Sequence, residues 1–339
     1  MTRLRFTICI GLLLCLVSCS PQEQQVSPEK IRVLLDTDAN NELDDQHAIA
    51  YMLLNGDVFE VEGLTVNRTD NGGDILEQAA EAERVVRLCR LHPQLKVLKG
   101  ASASFDEIKD HIDKEDFDGA EAVNHIIERA HARSERKLVL LPVGKLTNIA
   151  LALEKDPSII PKVRVVWLGS NYPAPGEYNQ DNDEASLNYL LDSDVEFEIV
   201  TVRYEAQSGT AVVRTTREEI VENMEGKGPT AQEPVTGRHG GQFHTFGDYS
   251  VDLFEHCYLY GDPPSRPLFD MAAVAIVKNP SWAQPTTIPA PILADGEWRE
   301  RPENPRKIVI WEHFDRDAII VDFFDTMADF TIAEVASSN

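Results

Sequence analysis

Ile31-Arg-Val-Leu-Leu-Asp36-Thr37-Asp38-Ala-Asn-Asn-Glu-Leu43-Asp44-Asp45 joins a short apolar run to an acidic turn. From Leu43 to Leu54 the apolar residues Ile49, Met52 and Leu53 then recur at helical spacing, so this region predicts strand, loop, helix. A second such unit follows, a strand over Val58 to Val66 and a helix over Ile75 to Leu91 that turns Leu76, Ala79, Val86 and Cys89 to one side. Lys137 to Val143 and Val163 to Gly169 predict further strands around a helix at Leu146 to Leu153, and Glu196 to Val202 another after a helix at Glu184 to Leu191. Parallel neighbours need helix-length crossovers, so this alternation implies an α/β fold: a mostly parallel central sheet flanked by helices, Rossmann-like and open. Ligands of such sheets gather at the carboxyl ends of strands, where Asp36-Thr37-Asp38, Asn67, Val143-Gly144 and Gly169-Ser170-Asn171 all fall. Past Val202, Thr215 to Met224, Tyr249 to Tyr260 and Pro267 to Val277 predict helices, and Lys307 to Ile310 with Ala318 to Phe323 a late strand pair. Residues 225–248, rich in Gly and Pro, predict a long loop that would serve as a lid.

The chain starts with Arg3 and Arg5 followed by an apolar run, Phe6 to Val17, too short to span a bilayer comfortably. Residues 1–19 therefore predict an export signal, and Leu16-Val17-Ser18-Cys19 resembles a bacterial lipobox that would leave Cys19 lipidated. The expected product is anchored to the bacterial cell envelope by that lipid alone. Residues 20–29, polar and proline-bearing, suit a flexible linker, and 30–339 a single folded domain, which the resemblance below implies is catalytic. Cys89 and Cys257 are too few and too distant in sequence to form a disulfide framework. A net charge of −25 argues against nucleic acid as a partner, since a polyanion is repelled.

Asp36, Asp38, Asp44 and Asp45 lie within ten residues, and burying so much like charge is costly unless a cation compensates it. Calcium suits a cluster of oxygens with no His or Cys inside it. An ordinary solvated acidic loop, with Asp44 and Asp45 complementing a helix N-terminus, is the competing reading of these residues taken alone.

Leu35-Asp36-Thr37-Asp38 with Leu43-Asp44-Asp45 resembles the opening motif of the inosine-uridine nucleoside hydrolases. Leu141-Pro-Val-Gly-Lys-Leu-Thr-Asn148, Val165-Val-Trp-Leu-Gly169, Glu177-Tyr178-Asn179 and Leu268-Phe-Asp270 resemble later segments of that family in the same order. The resemblance implies that Asp38, Asp45, Asp270 and the carbonyl of Val143 hold Ca2+, and that Asp38 is the general base for a water attacking the anomeric carbon. It further implies that Asp44, Glu177, Asn179 and Asp270 bind the hydroxyls of a small-molecule nucleoside or related ribosyl substrate, within purine or pyrimidine salvage. A homo-oligomer is also consistent with it.

Three departures stand out. The loop before Asp44 is longer than the family's, bringing Asn40 or Glu42 toward the sugar. The expected Ala-Gly-Asn is replaced by Asn67-Arg-Thr-Asp-Asn71, so Asn67 and Asn71 are both candidates for one sugar contact. Phe269 stands where many members carry a histidine that protonates the leaving base, and His239 and His244 are the candidate replacements. Tyr172, Tyr178, Trp167 and Phe243 are candidates to stack on a base. A haloacid-dehalogenase-type phosphatase also begins with Asp-x-Asp after a strand, but Asn40 stands where that family wants Thr or Val, and the acidic pair follows at once instead of far downstream. A non-catalytic nucleoside- or sugar-binding surface lipoprotein is the alternative of a different class.

Overall fold

The computed structural model describes residues 29–204 and 206–336. The export signal, Cys19 and most of the linker lie outside them. Strands β1 (Ile31–Thr37), β2 (Phe59–Val66), β3 (Val97–Lys99), β4 (Leu138–Pro142), β5 (Val163–Leu168) and β6 (Glu196–Val200) share one nine-stranded sheet. All their pairings are parallel: β1 with β2 and β4, β2 with β3, β4 with β5, β5 with β6. The chain therefore winds outward from β1 through β2 to β3, then crosses back and winds the other way. The order reverses between β1 and β4, and a crevice opens at their carboxyl ends.

Successive strand residues face opposite sides of the sheet, and here both sides are covered. Val33 and Leu35 of β1, Val139 and Leu141 of β4, and Val166 and Leu168 of β5 enter one core; Leu34, Leu138, Leu140, Val165 and Trp167 enter the other. Helix α1 (Asp44–Leu53) lies wholly inside the first core, with every residue buried. Its polar side chains find partners there: Gln46 donates to Ala39 O (2.9 Å) and Glu81 (2.8 Å), and His47 bridges Leu43 O and Ser250 Oγ. Burial lowers the His47 pKa to about 4, so its imidazole is neutral.

Helix α2 (Ile75–Leu88) corrects one expectation. Asp74 caps it, accepting from Leu76 N and Glu77 N while Glu77 reaches back to Asp74 N, and this start turns Leu76 outward, 60 % exposed. Gln78 and Glu81 are buried in its place, because Gln78 accepts from Asn40 N and Glu81 from Tyr249 Oη. Two later assignments also fail. Residues 318–323 belong to the helix Arg316–Ala328, which Asp315 caps; Ile319, Ile320, Phe323 and Met327 recur with helical period on its buried side. The strand Lys307–Glu312 instead takes Gln284–Pro289 as its antiparallel edge partner and β6 as its parallel one. Within 225–248, Val235–Gly237 and Gly240–Phe243 form a β-hairpin, not a structureless loop. The helix that follows is Phe246–His256, somewhat earlier than expected.

The β1–β2 register shifts between Val33 and Leu34, leaving Glu62 as the extra residue. Glu62 is buried and accepts from Arg32 and from Arg129 Nε (2.6 Å), closing a buried ion triad beneath the sheet's other end. Glu62→Ala would strand two buried guanidinium groups, and urea denaturation should register a loss of about 3–5 kcal/mol.

Candidate active site

Asp38 follows β1, and Asp44 and Asp45 form the first turn of α1. Asp270 stands in the first turn of the helix Phe269–Lys278, which packs against α1. Two helix N-termini thus converge on one point, each with free N–H groups and the positive end of its dipole. Phe269 N–H and Asp270 N–H face the Asp44 carboxyl, and Asp45 and Asp270 hydrogen-bond to each other. Ligand oxygens of Asp44, Asp45 and Asp270 lie within 4.8 Å of one another.

All four carboxyls are buried. Burial first, and mutual repulsion after it, hold Asp38 and Asp270 well above the usual carboxylate range. The same burial raises Asp44 and Asp45 to about 7 each. A pair of carboxyls that share a proton is what such a site forms without a counter-charge. An all-oxygen donor set fits a hard divalent cation, and the side chains whose oxygens the fold gathers are Asp44, Asp45 and Asp270, with Asp38 lining the same cavity. The Val143 carbonyl, just past β4, borders the same cavity and accepts from Asn179 Nδ2 (2.8 Å), so one of its lone pairs remains for a ligand.

Asp36 does not belong to this set. Thr65 Oγ1 (2.6 Å), Asn67 Nδ2 (2.9 Å) and Asn148 Nδ2 (2.8 Å) all donate to it. These donors offset part of the burial that raises its carboxyl, and they tie β1 to β2 and to the Leu-Thr-Asn segment. Thr147 of that segment donates to Asp183 (2.5 Å). The neighbouring glycine is also constrained, since a Cβ on Gly144 would stand 2.8 Å from Asp38 Oδ1 and 2.9 Å from Asn67 Nδ2.

A cavity of ≈ 120 Å³ opens over the carboxyls, walled by Asp38, Asp44, Asp45, Asp270, Glu177 and Asn179, among others. Glu177 caps the short helix Tyr178–Asn182 and accepts from the backbone N–H groups of Ser170, Asn179 and Gln180. Ser170 makes this turn in the left-handed region, φ 73°, a strained conformation for a side-chain-bearing residue. The Asn179 amide donates to Val143 O and Leu168 O, which leaves its oxygen for a ligand.

Several sequence alternatives separate here. Asn71 lines the cavity, whereas Asn67 is fully buried behind Asp38 with its Oδ1 unpaired. Glu42 reaches the wall and pairs with Arg266; Asn40 turns away to Gly72 O. His239 and His244 are not among the lining residues: His239 sits at the hairpin beside Asp252, and His244 is exposed next to Ala231 O. Of the four candidate stacking aromatics only Tyr178 lines the cavity, while Trp167 is buried under it, donating to Gly144 O. The aromatic wall that sequence reasoning missed is Tyr204 with Phe269, edge to face at 6.0 Å. Tyr204 lies in an irregular segment after β6, and no periodicity marks it.

The model of the inosine-uridine preferring nucleoside hydrolases matches residues 33–321. The chain belongs to that family. Among its relatives, the probable uridine nucleosidase 2 of rice (Oryza sativa subsp. japonica) is 27 % identical over 230 residues, 61 % of this chain and 66 % of that protein. The pyrimidine-specific ribonucleoside hydrolase RihB of Escherichia coli strain HS is 35 % identical over 80 residues, 22 % of this chain and 25 % of its own. The chain thus spans less than two thirds of the length of these curated relatives. A solved plant nucleoside hydrolase superimposes with a TM-score of 0.67 at 16 % identity, covering 89 % of this chain and all, 100 %, of that one. The Bacillus anthracis inosine-uridine preferring nucleoside hydrolase does so at 0.63 and 18 %, over 88 % and 99 %. These superpositions establish that this nucleoside hydrolase family member has the family's fold.

The raised carboxyls give the metal-free protein a defined pH response. Asp44 and Asp45 titrate near 7 when folded and near 3.8 when unfolded, so between those values the folded state binds more protons. Their contribution to stability is complete below the unfolded value and disappears as the pH rises through about 7. Thermal melts in EDTA should therefore give a higher midpoint at pH 5 than at pH 8. Excess divalent cation, which binds the deprotonated form, should stabilise most at pH 8 and shrink that gap.

Proposed function

We propose that this protein hydrolyses the N-glycosidic bond of a ribonucleoside or related ribosyl compound, with calcium held by Asp38, Asp45, Asp270 and the carbonyl of Val143. The observation that carries the reading is the convergence of four buried aspartates with Glu177 and Asn179 on one sugar-sized cavity. Calcium bound there would neutralise the carboxylates and polarise a water for attack.

The chain's own groups divide the remaining work. Thr69 Oγ1 donates to Asp38 Oδ2 (2.5 Å) and fixes its carboxylate, which takes the proton of the attacking water. Asp44, anchored by the N–H groups of Phe269 and Asp270, presents an acceptor to a ribose hydroxyl. Asn179 Oδ1, Asn71 and Glu177 offer acceptors on the opposite wall. Cleavage develops positive charge on the sugar, and fixed carboxylates stabilise that charge more than they stabilise the neutral substrate.

The leaving-group side differs from what a histidine would provide. Phe269 and Tyr204 form that wall, and the Tyr204 hydroxyl accepts from Tyr178 N–H. Burial raises the Tyr204 phenol above its ordinary pKa, so it stays protonated and can hydrogen-bond to the departing group. Phe269 is also the specific observation that favours the second reading, a binding protein on the same scaffold.

Released reducing sugar from a panel of nucleosides, measured with calcium present, tests these readings. Asp38→Asn should lower kcat by roughly 10²- to 10⁴-fold while ribose still binds, and Tyr204→Phe should reduce it less. Calcium and ribose bound with no turnover on any nucleoside would sink the hydrolase in favour of the binding protein. Export with lipid attachment at Cys19 completes the proposal. Cys19→Ala should move the chain from the membrane fraction to the soluble one, and its retention in membranes would contradict the anchor.

A further inference from the structure

His239, Asp252 and His256 form a second cluster outside the carboxylate site. One ring nitrogen of each histidine and one Asp252 oxygen lie within 4.8 Å of one another. Asp252 and His256 are four residues apart on the helix Phe246–His256, a spacing that puts both on one face. His239 comes from the adjoining hairpin, whose turn Gly240 (φ 93°) and Gly241 (φ 73°) permit. The Asp252 carboxylate faces both rings, Oδ2 at 3.3 Å from His239 Nδ1 and Oδ1 at 3.5 Å from His256 Nδ1. The two imidazoles stack with centroids 4.3 Å apart.

His256 Nδ1 donates to its own helix at Asp252 O (2.8 Å), which leaves Nε2 as the free lone pair. A histidine that binds a metal through one nitrogen and a backbone carbonyl through the other has its tautomer and orientation set in advance. We infer that His239, Asp252 and His256 bind a borderline divalent transition metal such as Zn2+. Two imidazoles with one carboxylate suit such an ion, whereas the all-oxygen site beneath suits a harder one. Both rings are partly exposed, so small rotations can close the set and water can take the remaining position.

The location gives the ion a structural consequence. Arg238, next to His239, reaches Asn40 O (3.4 Å) in the loop between Asp38 and Asp44, and Thr236 O accepts from Arg84 (2.9 Å). A metal joining His239 to the helix would hold this hairpin, and Arg238 with it, against the rim of the cavity.

The test is calorimetric titration of Zn2+ into the full-length protein kept in excess calcium, so that the carboxylate site is occupied. One equivalent should bind. His239→Ala and His256→Ala should each weaken it by at least roughly 100-fold, since loss of an outer-shell partner alone costs about 10- to 100-fold. Asp270→Asn should leave it intact. Co2+ substitution supplies a second readout, a visible absorption that both histidine variants should lose while their circular dichroism is unchanged. Absence of a zinc equivalent, or zinc and cobalt binding undiminished in the His239→Ala/His256→Ala double variant, would overturn the assignment.

Discussion

Four carboxyl groups are buried at one point, and the arrangement around them makes sense only as a response to that charge. Two helices direct their N-termini there, and the N–H groups of Phe269 and Asp270 bond the Asp44 carboxyl. Helix dipoles of this kind are worth about 1–2 kcal/mol at best, too little to keep four carboxylates ionised out of water. The remaining imbalance appears as raised pKa values and as the hydrogen bond between Asp45 and Asp270. A divalent cation bound there, as proposed, would remove both.

The scaffold separates this charged cluster from the equally polar ground beneath it. Asp36 lies two residues before Asp38 and is just as buried, yet Thr65, Asn67 and Asn148 all donate to it. One aspartate therefore stitches strands together while the other faces the cavity, because Asp36 lies inside β1 and Asp38 lies past its end, where the strand's alternation no longer sets direction. The same division recurs in Asn67 and Asn71, where the first supports Asp36 and the second reaches the opening. Glycine at 144 completes the floor, leaving no room for a side chain against Asp38.

The mouth of the site is built differently from its floor. Tyr204 and Phe269 present an aromatic edge, Glu42 is held by Arg266, and the hairpin at 235–243 stands beside the loop through Arg238. On the proposed reading the floor would meet the ribosyl group, and selectivity for what is attached to it would fall to the mouth, where this chain departs most from the family's expected residues.

What the sequence determined by itself was local and periodic. Continuous apolar runs ending in Asp36, Asn67 and Val143 marked parallel strands, helical spacing marked α1, and the order of motifs marked the family, all because strand and helix periods are written in neighbouring residues. Where periods are ambiguous the chain misled: Ile319-Ile320-Val321 reads as strand, but Asp315 caps a helix whose buried side takes Ile319, Ile320 and Phe323. The resemblance grouped Asp270 with Asp38 and Asp45, and the tertiary structure decided which carboxyls meet, gathering Asp270 with Asp44 and Asp45. It set Asp270 against Asp45 from across the chain, turned Asn67 inward and Asn71 outward, kept His239 off the cavity wall, and brought Tyr204 to the opening from a loop without any pattern. Those outcomes depend on contacts between separate segments of the chain, and only folding evaluates their packing and electrostatics together.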